Sequence, residues 1–434
     1  MFFRVAALAG ALSIFAAALP VLAAGERFSP ASIRDFGGVR GIGETLDTPA
    51  GVVQISVAAG VARQSNSQGG VASLLADCVS RTPVPFGGAT LPLHDAVAQR
   101  GGTLTWAVDA TVTRYTIEAQ ADRLPELIAL LGTALAAPDI SSATIAAARI
   151  SQAARFKDVE DNPVLVGIEL FRRQYAPATG GATIAAPSTL AGIGSGTLKA
   201  FYSTTYRHDG ARVSAVGPMS DELGAAVARA LGGLPAGAVT PLHLTARPIP
   251  DTPKRLVTHR SVGSPLLVMG FAAPAPTDRD FGAMLVIQAV LADTFDQPHG
   301  TTLRFIERTV APFYSYDTLP ASLVLSVNGA RVDPTMAMHE IAAVTRALSA
   351  QKLKDAALGR FKSAAVGSFV VDAMEPADRS TLLGQLAAAG LGDDPLNSVV
   401  GAIDRTTAAD VQRAAKRYLE RTIVAIILPR GDGE

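Results

Sequence analysis

The sequence predicts an α+β chain of two similar halves, each a mostly antiparallel sheet with helices packed on one side. Three observations carry this. Alternating runs at Gly51–Ala62, Thr103–Ala110 and Val112–Ala119 have the period of strands, and apolar-striped runs at Leu124–Ala136 and Ser141–Lys157 follow with the period of helices. The same order of strands, helices, closing helix and closing strand returns in the second half of the chain. Between the two lies Gly232–Lys254, with Pro235, Pro241, Pro248, Pro250 and Pro253 and no periodicity. Proline makes such a segment an extended, semi-rigid linker. The expected division is therefore a leader at residues 1–24, a first domain at 25–231, a linker at 232–254 and a second domain at 255–434.

Length and composition fit this plan. A chain of 434 residues, 48% hydrophobic, has enough material for two cores. Its 38 basic and 38 acidic residues balance, with no basic tract interleaved with aromatics, so nucleic acid is not the expected partner. The single cysteine, Cys78, excludes an intrachain disulfide and reads as an inert buried thiol. Met1–Ala24 has a secretory signal's three parts: Arg4, the apolar run Val5–Leu19, and small residues before a cleavage point. An uncleaved anchor is the other reading, but the run is short for a membrane span. The mature protein is expected to be periplasmic or secreted.

In order, Gly25–Pro49 reads as a lead-in with Gly-rich turns, and Gly51–Ala62 as a strand. A helix from Val71 is followed by a Pro/Gly loop at Pro83–Gly88 and a short helix, Leu93–Arg100, ending at Gly101-Gly102. After the two strands and two helices already named, Asp161-Asn162-Pro163 turns the chain into a helix through Tyr175. A Gly/Ala/Pro loop runs to Ile193; then Thr197–Tyr206 is helical, Ala211–Val216 a strand and Leu223–Leu231 the closing helix. In the second half, Arg255–Val262, Leu266–Phe271, Tyr314–Asp317, Ser322–Val327 and Thr422–Leu428 are strands. Asp280–Asp293, Leu303–Arg308, Leu353–Ala373, Pro376–Leu391 and Ala408–Leu419 are helices, and Asp333-Pro334 starts another as N-cap and first residue. Tyr206 and Tyr418 stand in matching places before the closing strands.

The stretch Gly69–Cys78, GGVASLLADC, follows a strand and a glycine turn and opens a buried helix. Its register resembles G-x-A-H-x-L-E-H, the place where the insulinase (pitrilysin) family of zinc peptidases carries its inverted zinc motif, H-x-x-E-H. Ser73 stands at the first His position, Ala76 at the Glu position and Asp77 at the second His position. In that family, two His at i and i+4 reach one metal from one helical face, and the Glu activates its water. The third ligand, a Glu on a later helix, falls near Ala154; Ser141–Val159 contains no Glu. The resemblance, which spans the mature chain, implies two insulinase-type half-domains whose own zinc site is lost and no cofactor in this chain.

No local two-His motif replaces it. His94, His208, His243, His259, His299 and His339 are scattered, and His339-Glu340 lacks the second His because Val344 stands there. Gly87-Gly88 and Gly180-Gly181 are loop glycines outside any phosphate-binding pattern. The second candidate is Leu303–Tyr316, LRFIERTVAPFYSY. In two-chain insulinase-type peptidases, an Arg/Tyr pair from the second half of one chain completes the metal site of the other. Arg308 and Tyr314 are the nearest match, with Tyr316 an alternative for the Tyr. An Arg fork can hold a peptide carbonyl or carboxylate, and a phenol can donate to an oxyanion. The plainer reading makes them a structural Arg and a sheet-packing Tyr.

The resemblance therefore implies a non-zinc-binding subunit of an exported two-chain metallopeptidase. Its partner would carry H-x-x-E-H and the zinc, and Arg308 and Tyr314 would assist peptide hydrolysis in the complex. A non-catalytic binding or assembly protein on the same fold is the alternative, and an autonomous peptidase with another site the third.

Overall fold

A computed structural model of the protein describes residues 28–177, 185–242, 244–296, 308–316, 320–329 and 333–430. The expected leader, 1–24, lies outside these residues, as do 303–307 of the expected Leu303–Arg308 helix. The strands form two separate principal sheets. The first contains β1 (Ala31–Phe36), β2 (Val39–Glu44), β3 (Ala50–Val57), β6 (Thr103–Val108), β7 (Thr113–Gln120) and β8 (Arg212–Val216), in the order β1-β2-β8-β3-β7-β6. The second contains β9 (Lys254–Arg260), β10 (Leu266–Ala272), β11 (Arg308–Ser315), β12 (Ser322–Gly329) and β13 (Ile423–Pro429), in the order β11-β12-β10-β13-β9. A small hairpin, β4 (Pro83–Phe86) and β5 (Ala89–Pro92), stands apart.

The repeat is explicit in the pairing. Reading β2, β8, β3, β7, β6 against β9, β13, β10, β12, β11, every neighbour relation is the same. The β2–β8 and β9–β13 pairs are parallel and the rest antiparallel. Among the described strands of the two principal sheets only β1 has no counterpart.

The helices repeat as well. In the first half α1 (Val71–Ser80), α3 (Leu124–Ala136), α4 (Ser142–Glu160), α5 (Pro163–Tyr175), α6 (Pro187–Ala191) and α7 (Ser195–Thr205) precede the closing strand. In the second α9 (Phe281–Asp296), α10 (Pro334–Ala350), α11 (Asp355–Asp372), α12 (Pro376–Ala388), α13 (Pro395–Arg405) and α14 (Ala408–Tyr418) do so. The first half adds α2 (Leu93–Gln99) and α8 (Asp221–Gly232). Starts are set by local chemistry: Asn162 accepts hydrogen bonds from the Val164 and Leu165 amides ahead of Pro163, and Asp333 does the same for Thr335 and Met336 ahead of Pro334. Thr407 and Asp410 form a reciprocal capping box on α14.

Several segments differ from expectation. The lead-in is the β1–β2 hairpin, in which Phe36 pairs with Val39 across Gly37-Gly38. Both glycines have positive φ, +65° and +90°, which suits the tight two-residue turn that matches strand twist. The Pro83–Gly88 loop is the start of a second such hairpin, turning at Gly87-Gly88 (φ +54° and +86°). Arg308 is the first residue of strand β11 rather than the end of a helix. Helix α13 and the short α6 stand where no element was expected.

Each half's own helices pack on one face of its sheet. The first core gathers Val53, Ile55, Ile117, Leu74, Leu75, Leu127 and Leu131; the second gathers Leu267, Met269, Leu325, Met284, Ile287, Leu386 and Ile403. The opposite face of each sheet is covered by one helix from the other half. Helix α5 lies on β10 and β13, and α12 lies on β8, β3 and β2. Among the described residues no helix is long and apolar enough to cross a membrane.

Candidate functional site

Helix α1 begins at Gly70, whose φ of +85° lets the chain turn sharply into the helix. A side chain at Gly70 would also strike Ala185, with a Cβ only 2.8 Å from Ala185 Cβ. Every residue of α1 is buried. Ser73, Ala76, Asp77 and Ser80 recur at three- and four-residue steps and share one side of the helix.

Asp77, 3% exposed, organises that side. Its Oδ1 accepts from Arg81 Nε at 2.9 Å and from Ser80 Oγ at 3.4 Å. Its Oδ2 accepts from Gln152 Nε2 at 3.4 Å. Gln152 comes from α4, on a stripe of Ile145, Ala148, Gln152 and Arg155 stepped by three and four residues toward α1. Ala154, the expected third-ligand position, is exposed on α4 and does not join Ser73, Ala76 and Asp77; Gln152 is the α4 residue that does. Arg155 lies within electrostatic reach of both Asp77 and Arg81, and its guanidinium carbon sits 4.2 Å above the ring of Trp106 on β6. Burial lowers the Arg155 pKa, against a smaller opposing pull from Asp77.

This set does not fit zinc. Zinc sites are built from imidazole, thiolate and carboxylate around an open ion. Here both Asp77 oxygens accept protein hydrogen bonds, Ala76 brings no base, and two guanidiniums repel a cation. Cys78 offers no thiolate: it is fully buried, and burial followed by the nearby Asp77 charge pushes its thiol up to about 12. Among the described residues no cluster of three His, Cys, Asp or Glu side chains could hold a metal ion. His94, near this helix, spends Nδ1 on the Ser80 carbonyl at 2.9 Å.

The second-half candidates sit elsewhere. Arg308 starts β11 opposite Gly329; its side chain lies outside the described residues. Tyr314, on the same strand, is 3% exposed, and its hydroxyl donates to the Pro274 carbonyl. Its ring packs 5.9 Å from Phe281 and 5.2 Å from Tyr316, centroid to centroid. Burial, and then Tyr316, raise its pKa well above the ordinary phenol value. Tyr316 is also buried and stands edge-on to Phe281 at 5.5 Å. The structure thus brings Tyr314 and Tyr316 into one aromatic cluster in the second core, apart from Ser73, Ala76 and Asp77 in the first.

Arg81, Gln152, Arg155 and Trp106 were not singled out as site residues from the sequence. Arg81 had a signal, being four residues beyond Asp77 on a helix. Gln152 had one too, as a polar residue on an otherwise apolar stripe. The Arg155–Trp106 contact joins a helix to a distant strand and left no mark in the sequence.

Residues 193–364 match the family model described as the Peptidase M16 inactive domain. No curated protein matches the chain. Among solved structures, a protease from Helicobacter pylori superposes with a TM-score of 0.81 at 15% identity, over 92% of this chain and 100% of that one. An M16 inactive domain from Pseudomonas fluorescens does so with 0.76 at 15%, over 93% and 99%. A protein from Alicyclobacillus acidocaldarius labelled M16-like peptidase gives 0.73 at 13%, over 92% and 99%. At these identities the likenesses speak to the fold.

Proposed function

We propose that this chain, which matches the M16 inactive-domain model over residues 193–364 and shares the fold of the M16-like structures, is the non-zinc-binding subunit of an exported two-chain insulinase-type peptidase. The observation that carries this is the state of the metal position. Asp77 is held by Arg81 and Gln152 where ligands would face an ion, while the surrounding fold is kept over 92% of the chain. A fold retained without its metal supports a role in enclosing a peptide beside a chain that does hold zinc. The leader-like Met1–Ala24 supports export to the periplasm or beyond.

The assisting pair, Arg308 and Tyr314, is the finer part of the proposal. Tyr314 can donate to a peptide oxyanion only after its hydroxyl leaves the Pro274 carbonyl. Its two roles separate by experiment. If Tyr314 assists, Tyr314→Phe in the assembled complex lowers cleavage on the order of 100-fold, the usual cost of losing an oxyanion donor. If it only holds β11, cleavage is unchanged and stability falls by about 1 kcal/mol, as a buried carbonyl loses its donor. The second outcome leaves Arg308, with Tyr316 as the alternative Tyr.

The deciding experiment is purification of the chain with its companions from its native host, followed by zinc analysis and peptide cleavage. The expected result is a companion with H-x-x-E-H, zinc in that companion, and no cleavage by this chain alone. Purification with a companion lacking that motif, and no cleavage by either, favours the binding or assembly role. About one zinc per isolated chain overturns both.

A further inference from the structure

We propose that the converted metal position binds a carboxylate group, with Arg155 as its anchor. This inference concerns the isolated chain, so its failure leaves the two-chain reading standing.

Around Arg155 the charges do not cancel. Asp77 is one anion, and Arg81 and Arg155 are two cations within its reach. Asp77 is already spent: one oxygen serves Arg81 and Ser80, the other Gln152. Among the described residues no carboxylate lies within ion-pair distance of Arg155. Yet Arg155 is only half-exposed, and its loss of hydration is not offset by a hydrogen bond. Trp106 holds the guanidinium through its ring face at 4.2 Å, which fixes the plane but uses none of the N–H donors.

A guanidinium fixed in plane, with its fork unspent, matches two coplanar oxygens at hydrogen-bond distance. That is the geometry of a carboxylate. A doubly charged phosphate would set more negative charge against Asp77 than the one spare cation offsets. In the active relatives the place is set for a cation that polarises a peptide's carbonyl. Here a fixed cation stands in the same region with hydrogen-bond donors, and it suits a terminal carboxylate.

Trp106 is the only tryptophan in the chain, so its fluorescence reports this site alone. The probe is an acetylated alanine tripeptide with a free C-terminal carboxylate, titrated into the full chain beside the same peptide amidated and beside inorganic phosphate. The expected result is a saturable change for the carboxylate form, with affinity weaker by about tenfold or more for the amide, which lacks the charge. Arg155→Gln should lose about tenfold or more for the same reason. Arg155→Lys keeps the charge and the stem over Trp106 and loses the fork, so it should bind at an intermediate level. It carries the test should the Gln variant not fold. Equal binding of the amide, unchanged affinity in both Arg155 variants, tighter binding of phosphate, or no saturable change at millimolar peptide would each overturn the assignment.

Discussion

Helices α5 and α12 hold equivalent places in the repeat, and each crosses to the other half's sheet, but the two contacts are built from different chemistry. The α5 contact is apolar at its centre, with hydrogen bonds beside it from Arg172 to Ser315 and from Tyr175 to the Ala321 carbonyl. Val166, Phe171 and Tyr175 meet Leu266, Val268, Val324, Ala425 and Ile427. It closes by shape: a Cβ on Gly270 would stand 2.1 Å from the Phe171 ring, and one on Gly167 would stand 2.5 Å from Val268. The α12 contact gathers Ile42 and Val216 into the second core and adds polar side chains paired with one another across it. Thr381 donates to Gln54 at 2.8 Å, Ser380 and Ser214 share a hydrogen bond at 3.1 Å, and Arg379 reaches Glu44 at 3.3 Å. The balance thus differs: one fold position rests mostly on fit in one half and more on paired polar side chains in the other. The more apolar contact should fail when volume is lost, the more polar one when a partner is lost.

The largest effect is expected on the apolar side. Phe171→Ala opens a cavity against Gly270 and should cost about 3–5 kcal/mol in denaturant unfolding. The crossing helices add a second readout. With both in place, a chain nicked at an engineered protease site within residues 232–254 should stay whole on size-exclusion chromatography. The nicked Phe171→Ala chain should come apart more readily. Separation of the nicked wild-type chain under native conditions would show that the crossing helices do not hold the halves together.

On the polar side, Arg379→Ala leaves Glu44, with a fully buried side chain, without its cation. The expected loss is about 3 kcal/mol, since an unpaired buried charge is costly. The sharper test replaces both partners. Glu44→Met with Arg379→Met makes this point of the contact dry, and stability should return most of the way to wild type. A double variant as unstable as the single one would mean that the polar pair has no apolar equivalent here.

The repeat of strands and helices was legible in the sequence because periodicity is local. The two hairpins were missed although each carries a Gly-Gly pair, the two-residue signal for such a turn. In β2, Gly41 and Gly43 broke the alternation that would have marked the strand. At the metal position, Ser73, Ala76 and Asp77 were legible, but what replaced the metal was not. Gln152 lies 75 residues from Asp77, and only the packing of α4 on α1 brings them together. Tyr314 shows the reverse case: its spacing from Arg308 suggested a site, while its bond to the Pro274 carbonyl depends on a strand register no motif encodes.

The smallest expected effect is one of pH, again on the polar contact. Burial raises the Glu44 pKa above its ordinary 4.5, Arg379 pulls it down, and Asp394 adds to the rise. Glu44 Oε2 is buried without a hydrogen-bond partner, which agrees with a carboxylate short of solvation. Between pH 4.5 and the raised value the folded chain holds a proton that the unfolded chain releases. Stability from this group must then fall as pH rises through that window, and level off once Glu44 ionises in the folded state. The apolar centre of the α5 contact has no such dependence. Glu44→Gln removes the titrating proton and should flatten this part of the stability–pH curve, read as the difference between the two proteins above pH 4.5. A wild-type curve that rises against Glu44→Gln over the same window would mean that Arg379 outweighs burial, so that the pair favours the charged carboxylate and holds the polar contact by attraction.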